Sequence, residues 1–278
     1  MIIFDKYGFT QNDLTARAEQ IRNIQLPHAE VQELYGRILG HVDLTTLEGS
    51  DTSEKISTLC HYALSLTDTC SATVAAVCIY MPFVAQARKL MANTPIEVAT
   101  VAGGFPSGQL PVHLKVNEVR FAVEQGADEV DVVISRSLAL TEKWDVLRDE
   151  ISQMKAACGK IRMKVILETG ELESVAKIRK ACECAILGGA DFLKTSTGKI
   201  KPAATPEAFL IMLDTIREYH HKTGKMIGIK PAGGIAGTDD AMHYYLMVKE
   251  VLGEAWLNKA WFRIGASRLV GNLVEILR

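Results

Sequence analysis

DFLKTSTGK, Asp191–Lys199, reads as a buried strand that ends in a charge: Phe192 and Leu193 lead into Lys194, then small hydroxyl residues, Gly198 and a second lysine follow. Further on, IGIKPAGG (Ile227–Gly234) repeats the form, with an apolar run, Lys230 and a glycine-rich turn. Lysine is almost never fully buried without a partner, so two lysines at strand ends need an explanation.

Outward from these two strands the chain is regular. From residue 40 onward short β-rich runs alternate with longer amphipathic ones, as in a parallel sheet wrapped by helices. Strands are expected over residues 40–45, 72–80, 96–103, 128–135, 162–169, 191–197, 226–233 and 261–267. Helical stretches such as PVHLKVNEVRFAVEQGA (111–127) and TPEAFLIMLDTIREYHHKTG (205–224) separate them. The second opens on Thr205 as N-cap with Pro206 at the first helical position, and stops at Gly224. Eight strands between residues 40 and 278 leave about 30 residues per unit, the length of one β-α-β step. An eight-stranded barrel closes that count with no edge strand, whereas a doubly wound sheet needs a switch point, and no G-x-G-x-x-G follows the first strand. The expectation is a single-domain (β/α)8 TIM barrel over 40–278. A helical extension, residues 1–39, packs on it and carries two helices.

Composition narrows the function. Hydrophobic residues make up 48% and charged residues 23% of 278, ordinary for a globular enzyme with a sizeable core. With 31 basic and 33 acidic residues the net charge is −2, so no global field favours nucleic acid or an anionic membrane. The N-terminus lacks a basic segment followed by an apolar one, and no apolar run approaches the roughly 20 residues of a membrane span. A cytoplasmic protein is expected. The cysteines at 60, 70, 78, 158, 182 and 184 form no C-x-x-C, and Cys182 and Cys184 on one helix point different ways. They read as reduced core residues rather than a zinc site or disulfide framework. His220-His221 at a helix end suits the helix dipole, and Trp144, Trp256 and Trp261 read as packing.

In such a barrel the chemistry sits at the C-terminal ends of the strands. Those ends carry Asp43, Cys78, Asp131, Lys164, Lys194 and Lys230. Strand alternation puts Lys194 on one face with Phe192 and Ser196, and Lys230 with Gly228, whose missing side chain is expected to leave room for a lysine. A single such lysine could snorkel at the rim; three lysines and two aspartates on five strands fit that poorly. A second ammonium about 5 Å away at an effective dielectric of ~20 costs roughly 3 kcal/mol, enough to lower a lysine pKa by about 2 units. Desolvation acts the same way. The freed amine can form a Schiff base with a carbonyl, and a nearby carboxylate can move protons. The cluster reads as a metal-free carbonyl enzyme without a cofactor.

HVDLTTLEGSDT (41–52), ADEVDVVIS (127–135), MKVILETGEL (163–172), DFLKTSTGK, GIKPAGG (228–234) and FRIGAS (262–267) resemble, in order, the landmarks of the deoxyribose-phosphate aldolase family. The resemblance runs from about residue 40 to the C-terminus. It implies a (β/α)8 class I aldolase, needing no metal, that reversibly cleaves 2-deoxy-D-ribose 5-phosphate to D-glyceraldehyde 3-phosphate and acetaldehyde. By the same resemblance Lys194 forms the Schiff base, Lys230 is the ammonium that lowers its pKa, and Asp131 with Lys164 forms a proton relay. Asp43 and Cys78 line the pocket. Thr197, Gly198, Lys199, Gly233, Gly234 and Ser267 match positions near the phosphate. The partners implied are small phosphorylated sugars and aldehydes, and the assembly implied is a homodimer.

Two positions depart from the family's pattern. Many relatives carry arginine two residues after the double glycine, where this chain has Ala236, and Arg268 follows GAS where Ser or Thr is usual. The expectation is a swap, with Arg268 supplying the phosphate contact. Two other readings stay open: a Schiff-base aldolase for a different or unphosphorylated acceptor, and a phosphate-binding barrel without catalysis. The lysines and Asp131 argue against the last.

Overall fold

The computed structural model describes residues 2–278. Two helices come first, α1 (Gln11–Arg22) and α2 (His28–Leu39), then β1 (Val42–Thr45), α3 (Ser53–Cys70), β2 (Ala76–Ile79), α4 (Val84–Leu90) and β3 (Glu97–Ala102). There follow α5 (Val112–Glu124), β4 (Glu129–Val133), α6 (Arg136–Leu140), α7 (Trp144–Cys158), β5 (Arg162–Ile166), α8 (Val175–Leu187) and β6 (Phe192–Lys194). The chain closes with α9 (Pro206–Thr223), β7 (Gly228–Lys230), α10 (Thr238–Leu252), β8 (Ile264–Ala266) and α11 (Arg268–Leu277).

The strands pair in parallel in the order β7-β6-β5-β4-β3-β2-β1-β8. Parallel bridges from Ile229 to Phe262 and from Ala232 to Gly265 join β7 to the β8 segment and close the (β/α)8 barrel. Each strand lies inside its expected range but is shorter. After Lys194, for example, Thr195 and the residues beyond it turn into the loop that faces β7, with Thr195 N donating to Lys230 O at 3.0 Å.

Helix signals act as read. The Thr205 side chain accepts from Ala208 N, and Gly224 ends α9 at φ 70°, a left-handed conformation that glycine adopts without strain. Ahead of the barrel, α1 is opened by a capping box between Thr10 and Asp13. It buries Leu14, Ala18 and Ile21 against α9 and α10, while α2 packs on α10 and α11. Burial of each such aliphatic side chain stabilises by about 1.5–3 kcal/mol, and Arg17 adds two hydrogen bonds to Asp214, at 2.7 and 3.0 Å.

Register decides what faces what inside the barrel. Asp131 pairs with Lys164, Lys164 with Phe192 and Phe192 with Gly228, so these four form one layer across β4–β7. Lys194 and Lys230 pair with each other one layer nearer the C-terminal mouth. Asp43, Asp131 and Lys164 therefore lie within their strands, not at the ends, one level deeper than expected. Gly228 also serves a different neighbour. A Cβ there would come within 2.4 Å of the Phe192 ring, so the space is taken by phenylalanine and not by a lysine.

Candidate active site

Asp131 is the hub. Its Oδ1 accepts from Lys164 Nζ at 2.9 Å, and its Oδ2 accepts from both Lys194 Nζ at 2.7 Å and Lys230 Nζ at 2.8 Å. Lys164 also donates to Glu129, and Lys230 to Asp43. All are buried. The structure thus brings together the four residues expected to carry the chemistry, in direct contact.

The three amines differ in what surrounds them. Burial opposes charge on Lys164, but Asp131 and Glu129 together outweigh it and raise its pKa. The same holds for Lys230, raised by Asp131 and Asp43 against burial. Lys194 has only Asp131, which it shares. Burial is the largest influence on it, Lys230 adds repulsion, and together they overcome the attraction of Asp131 and lower its pKa. The expected direction holds, but the order of causes is reversed: desolvation leads and the second ammonium assists. Asp131 is itself held well below the usual carboxylate range, because the three lysines outweigh the effect of burial.

This assigns Lys230 a measurable part. Lys230→Leu removes a repulsion on Lys194 and frees Asp131 Oδ2 to pair with Lys194 alone, and both effects raise the Lys194 pKa. The acid limb of the kcat/KM–pH profile is expected to move up by about one unit. A limb that stays in place would make Lys230 a structural residue.

A cavity of about 180 Å³ opens above Lys194 at the C-terminal mouth of the barrel. Gly198, Lys199, Gly233, Gly234, Ser267 and Arg268 line it with Thr197, as does Ala236. Gly233, at φ 83°, lies so close to Gly198 that a Cβ would meet the Gly198 Cα at 2.7 Å. That close approach brings the loops after β6 and β7 together. The Thr197 hydroxyl is committed, donating to Glu168 and accepting from Lys199 N at 3.1 Å, so Thr197 shapes the loop. Lys199 Nζ donates to the Glu48 carboxylate at 2.9 Å across the mouth. Arg268 is exposed at the start of α11 and makes no ion pair among the described residues. Asn272 Nδ2 donates to Ala236 O at 2.9 Å, which ties the loop after β7 to α11.

Two expected pocket residues lie off this cavity. Asp43 sits beneath Lys230 and accepts from Arg263 at 2.7 Å, and Cys78 is fully buried on β2, with burial pushing its thiol pKa up. Sequence reasoning missed Arg263, Glu129 and Glu168. The first two share strand parity with Gly265 and Asp131; that alternation was the available signal. Glu168, at φ 56°, carried none beyond its place in LETGEL.

A (β/α)8 barrel whose mouth opens onto a buried lysine defines an α/β-barrel enzyme with an amine in its interior. The model of the DeoC/LacD family aldolases matches residues 37–252, and the chain belongs to that family. It is 44% identical over 271 residues to the human deoxyribose-phosphate aldolase, covering 92% of this chain and 85% of that one. The mouse enzyme of that name is 42% identical over the same coverage. Among solved structures, a Toxoplasma gondii protein superposes with a TM-score of 0.80 at 24% identity, over 90% of this chain and 96% of its own. The tetrameric deoxyribose phosphate aldolase of Aeropyrum pernix does so at 0.65 and 22%, over 90% and 97%. At these identities the superpositions speak for the fold. The relatives make the chain an aldolase.

Proposed function

We propose that this aldolase reversibly cleaves 2-deoxy-D-ribose 5-phosphate to D-glyceraldehyde 3-phosphate and acetaldehyde through a Schiff base on Lys194. One observation carries the reading. Of the three lysines on Asp131, Lys194 alone lines the cavity, and it alone has its ammonium form disfavoured on balance. In the cleavage direction the neutral amine adds to the C1 aldehyde, and the carbinolamine loses water to give an iminium. A base then takes the C3 hydroxyl proton as the C2–C3 bond breaks. Its electron pair forms the enamine on C2, and C3 leaves as the aldehyde of glyceraldehyde 3-phosphate. Protonation at C2 restores an iminium, which water hydrolyses to acetaldehyde and free Lys194. Asp131 is the group placed to move these protons. While Lys194 is the neutral amine, before the iminium forms, Asp131 faces two ammonium partners instead of three, and its basicity is higher for the proton transfers of carbinolamine formation. Lys164 completes the relay.

The test is release of glyceraldehyde 3-phosphate and acetaldehyde in equal amounts from deoxyribose 5-phosphate, undiminished by a chelator. Neither product appearing would remove the assignment. The family resemblance supports a cytoplasmic homodimer working in deoxyribonucleotide and carbohydrate breakdown; fractionation and light scattering check the first two, with a tetramer like the Aeropyrum pernix relative as the other outcome.

At the phosphate end, the guanidinium of Arg268, without an ion pair among the described residues and at the N-terminus of α11, supports the swap for the arginine absent at 236. A charge-assisted hydrogen bond is worth about 1.5–3 kcal/mol, and an open helix N-terminus favours an anion. Arg268→Ala is expected to lower kcat/KM for deoxyribose 5-phosphate by roughly 10- to 150-fold. Solvent screening of an exposed arginine favours the lower end. The rate with unphosphorylated deoxyribose should hardly change. No loss on either substrate would favour the second reading, an aldolase for unphosphorylated acceptors, which the Lys199–Glu48 pair also supports by occupying the other cation.

A further inference from the structure

We infer that Arg263 and Glu129, which touch neither Lys194 nor the cavity, are positioning residues that keep Lys194 neutral by fixing the charge balance beneath it. Arg263 is fully buried on the approach to β8. Its guanidinium donates to Asp43 Oδ1 at 2.7 Å, to both Glu129 oxygens at 3.1 and 2.9 Å, and to Glu97. Glu129, fully buried on β4, also accepts from Lys164 and Arg162.

The buried charges balance without the nucleophile. Arg263, Lys164 and Lys230 are the fully buried cations of this cluster, and Asp43, Glu129 and Asp131 are its fully buried carboxylates; Glu168 and Lys115, equally buried, lie outside it, Glu168 with Thr197 and Arg136 and Lys115 with Glu150. Arg162 and Glu97 add one charge of each sign at the rim, with side chains 29% and 28% exposed. The other groups facing this cluster carry no charge: the buried Cys78 thiol on β2, Ala99 and Val101 on β3 and the Phe192 ring on β6. Three cations against three anions leaves Lys194, 3% exposed, as a fourth basic group with no carboxylate of its own. Protonating it would put an uncompensated charge in the interior, which proteins avoid by shifting the pKa instead. Arg263 is the firm member of the balance, because a guanidinium does not deprotonate in this range.

This rests on Lys194 being the Schiff-base lysine, and it makes predictions of opposite sign. Removing Arg263 leaves a surplus carboxylate, and Lys194 is the remaining amine free to take a proton in answer. Removing the charge of Glu129 leaves a surplus cation and disfavours Lys194 protonation further. The experiment follows imine formation with acetaldehyde across pH by cyanoborohydride reduction and peptide mass mapping, alongside the kcat/KM–pH profile. Arg263→Met should shift the half-labelling pH at Lys194 up by about one unit, the scale of unit charges roughly 10 Å apart at an effective dielectric of ~20. Glu129→Gln should shift it down, and the double variant should return it near the wild-type value. Loss of a buried charge partner can unfold the barrel, so circular dichroism is read first. If Arg263→Met does not fold, the downward shift in the nearly isosteric Glu129→Gln decides alone. Shifts of the same sign, or none with label still on Lys194, overturn the inference; wild-type label on another lysine overturns the underlying assignment instead.

Discussion

Lys194→Ala is expected to lower aldol cleavage by ~10⁴-fold or more, because it removes the one lysine on Asp131 that lines the cavity, whose charged form burial disfavours. Lys194→Arg should be equally inactive, since a guanidinium keeps its proton. Incubated with acetaldehyde and borohydride, the wild-type protein should gain a two-carbon label on the peptide that contains Lys194. Neither Lys230 nor Lys164 should take it: both are held as ammonium by two carboxylates each. Label found mainly at either would falsify the assignment of the nucleophile. Imine formation should weaken as pH falls through the Lys194 pKa, because protonation consumes the free amine. That pKa is lowered, chiefly by burial, so the loss occurs at lower pH than for an ordinary lysine.

Asp131→Asn keeps the shape of the hub and removes its charge, and turnover is expected to fall by roughly 10²–10⁴-fold, the usual range for general acid–base catalysis. The variant should still form the imine. Asp131 raises the Lys194 pKa, so its neutralisation lowers that pKa and moves the labelling profile toward acid. Lys164 and Lys230 retain Glu129 and Asp43 as partners, and the surplus buried cation disfavours protonation of Lys194 further. Turnover and labelling should therefore part company: labelling persists while exchange of acetaldehyde methyl protons with solvent deuterium slows in step with cleavage. Exchange at the wild-type rate would show that another group moves the proton.

Much of this was legible along the chain. Eight β-rich runs at barrel spacing, the Thr205-Pro206 start and Gly224 stop of α9, and the lysines of DFLKTSTGK and GIKPAGG each rest on local chemistry. A strand's alternation, a cap and a glycine turn act within a few residues, so they leave a pattern in sequence order. Asp131, Lys164, Lys194 and Lys230 could be picked out because a charge in an apolar strand is rare enough to notice.

Depth and pairing were not legible. Sequence order does not say that Asp131 faces Lys164 while Lys194 faces Lys230 one layer up; the register between strands 33 and 36 residues apart sets that. Nor does it say that Gly228 makes room for Phe192, since the ring and the glycine meet only across β6 and β7. Arg263 went unread because its partners come from β1, β3 and β4. The sequence by itself determined the barrel and the kinds of group inside it, through short-range periodicity. Only the tertiary structure decided which lysine is left without a carboxylate of its own. A buried amine's charge depends on the sum of every charge within reach of a poorly screened interior, and that sum exists only once eight strands have closed around it.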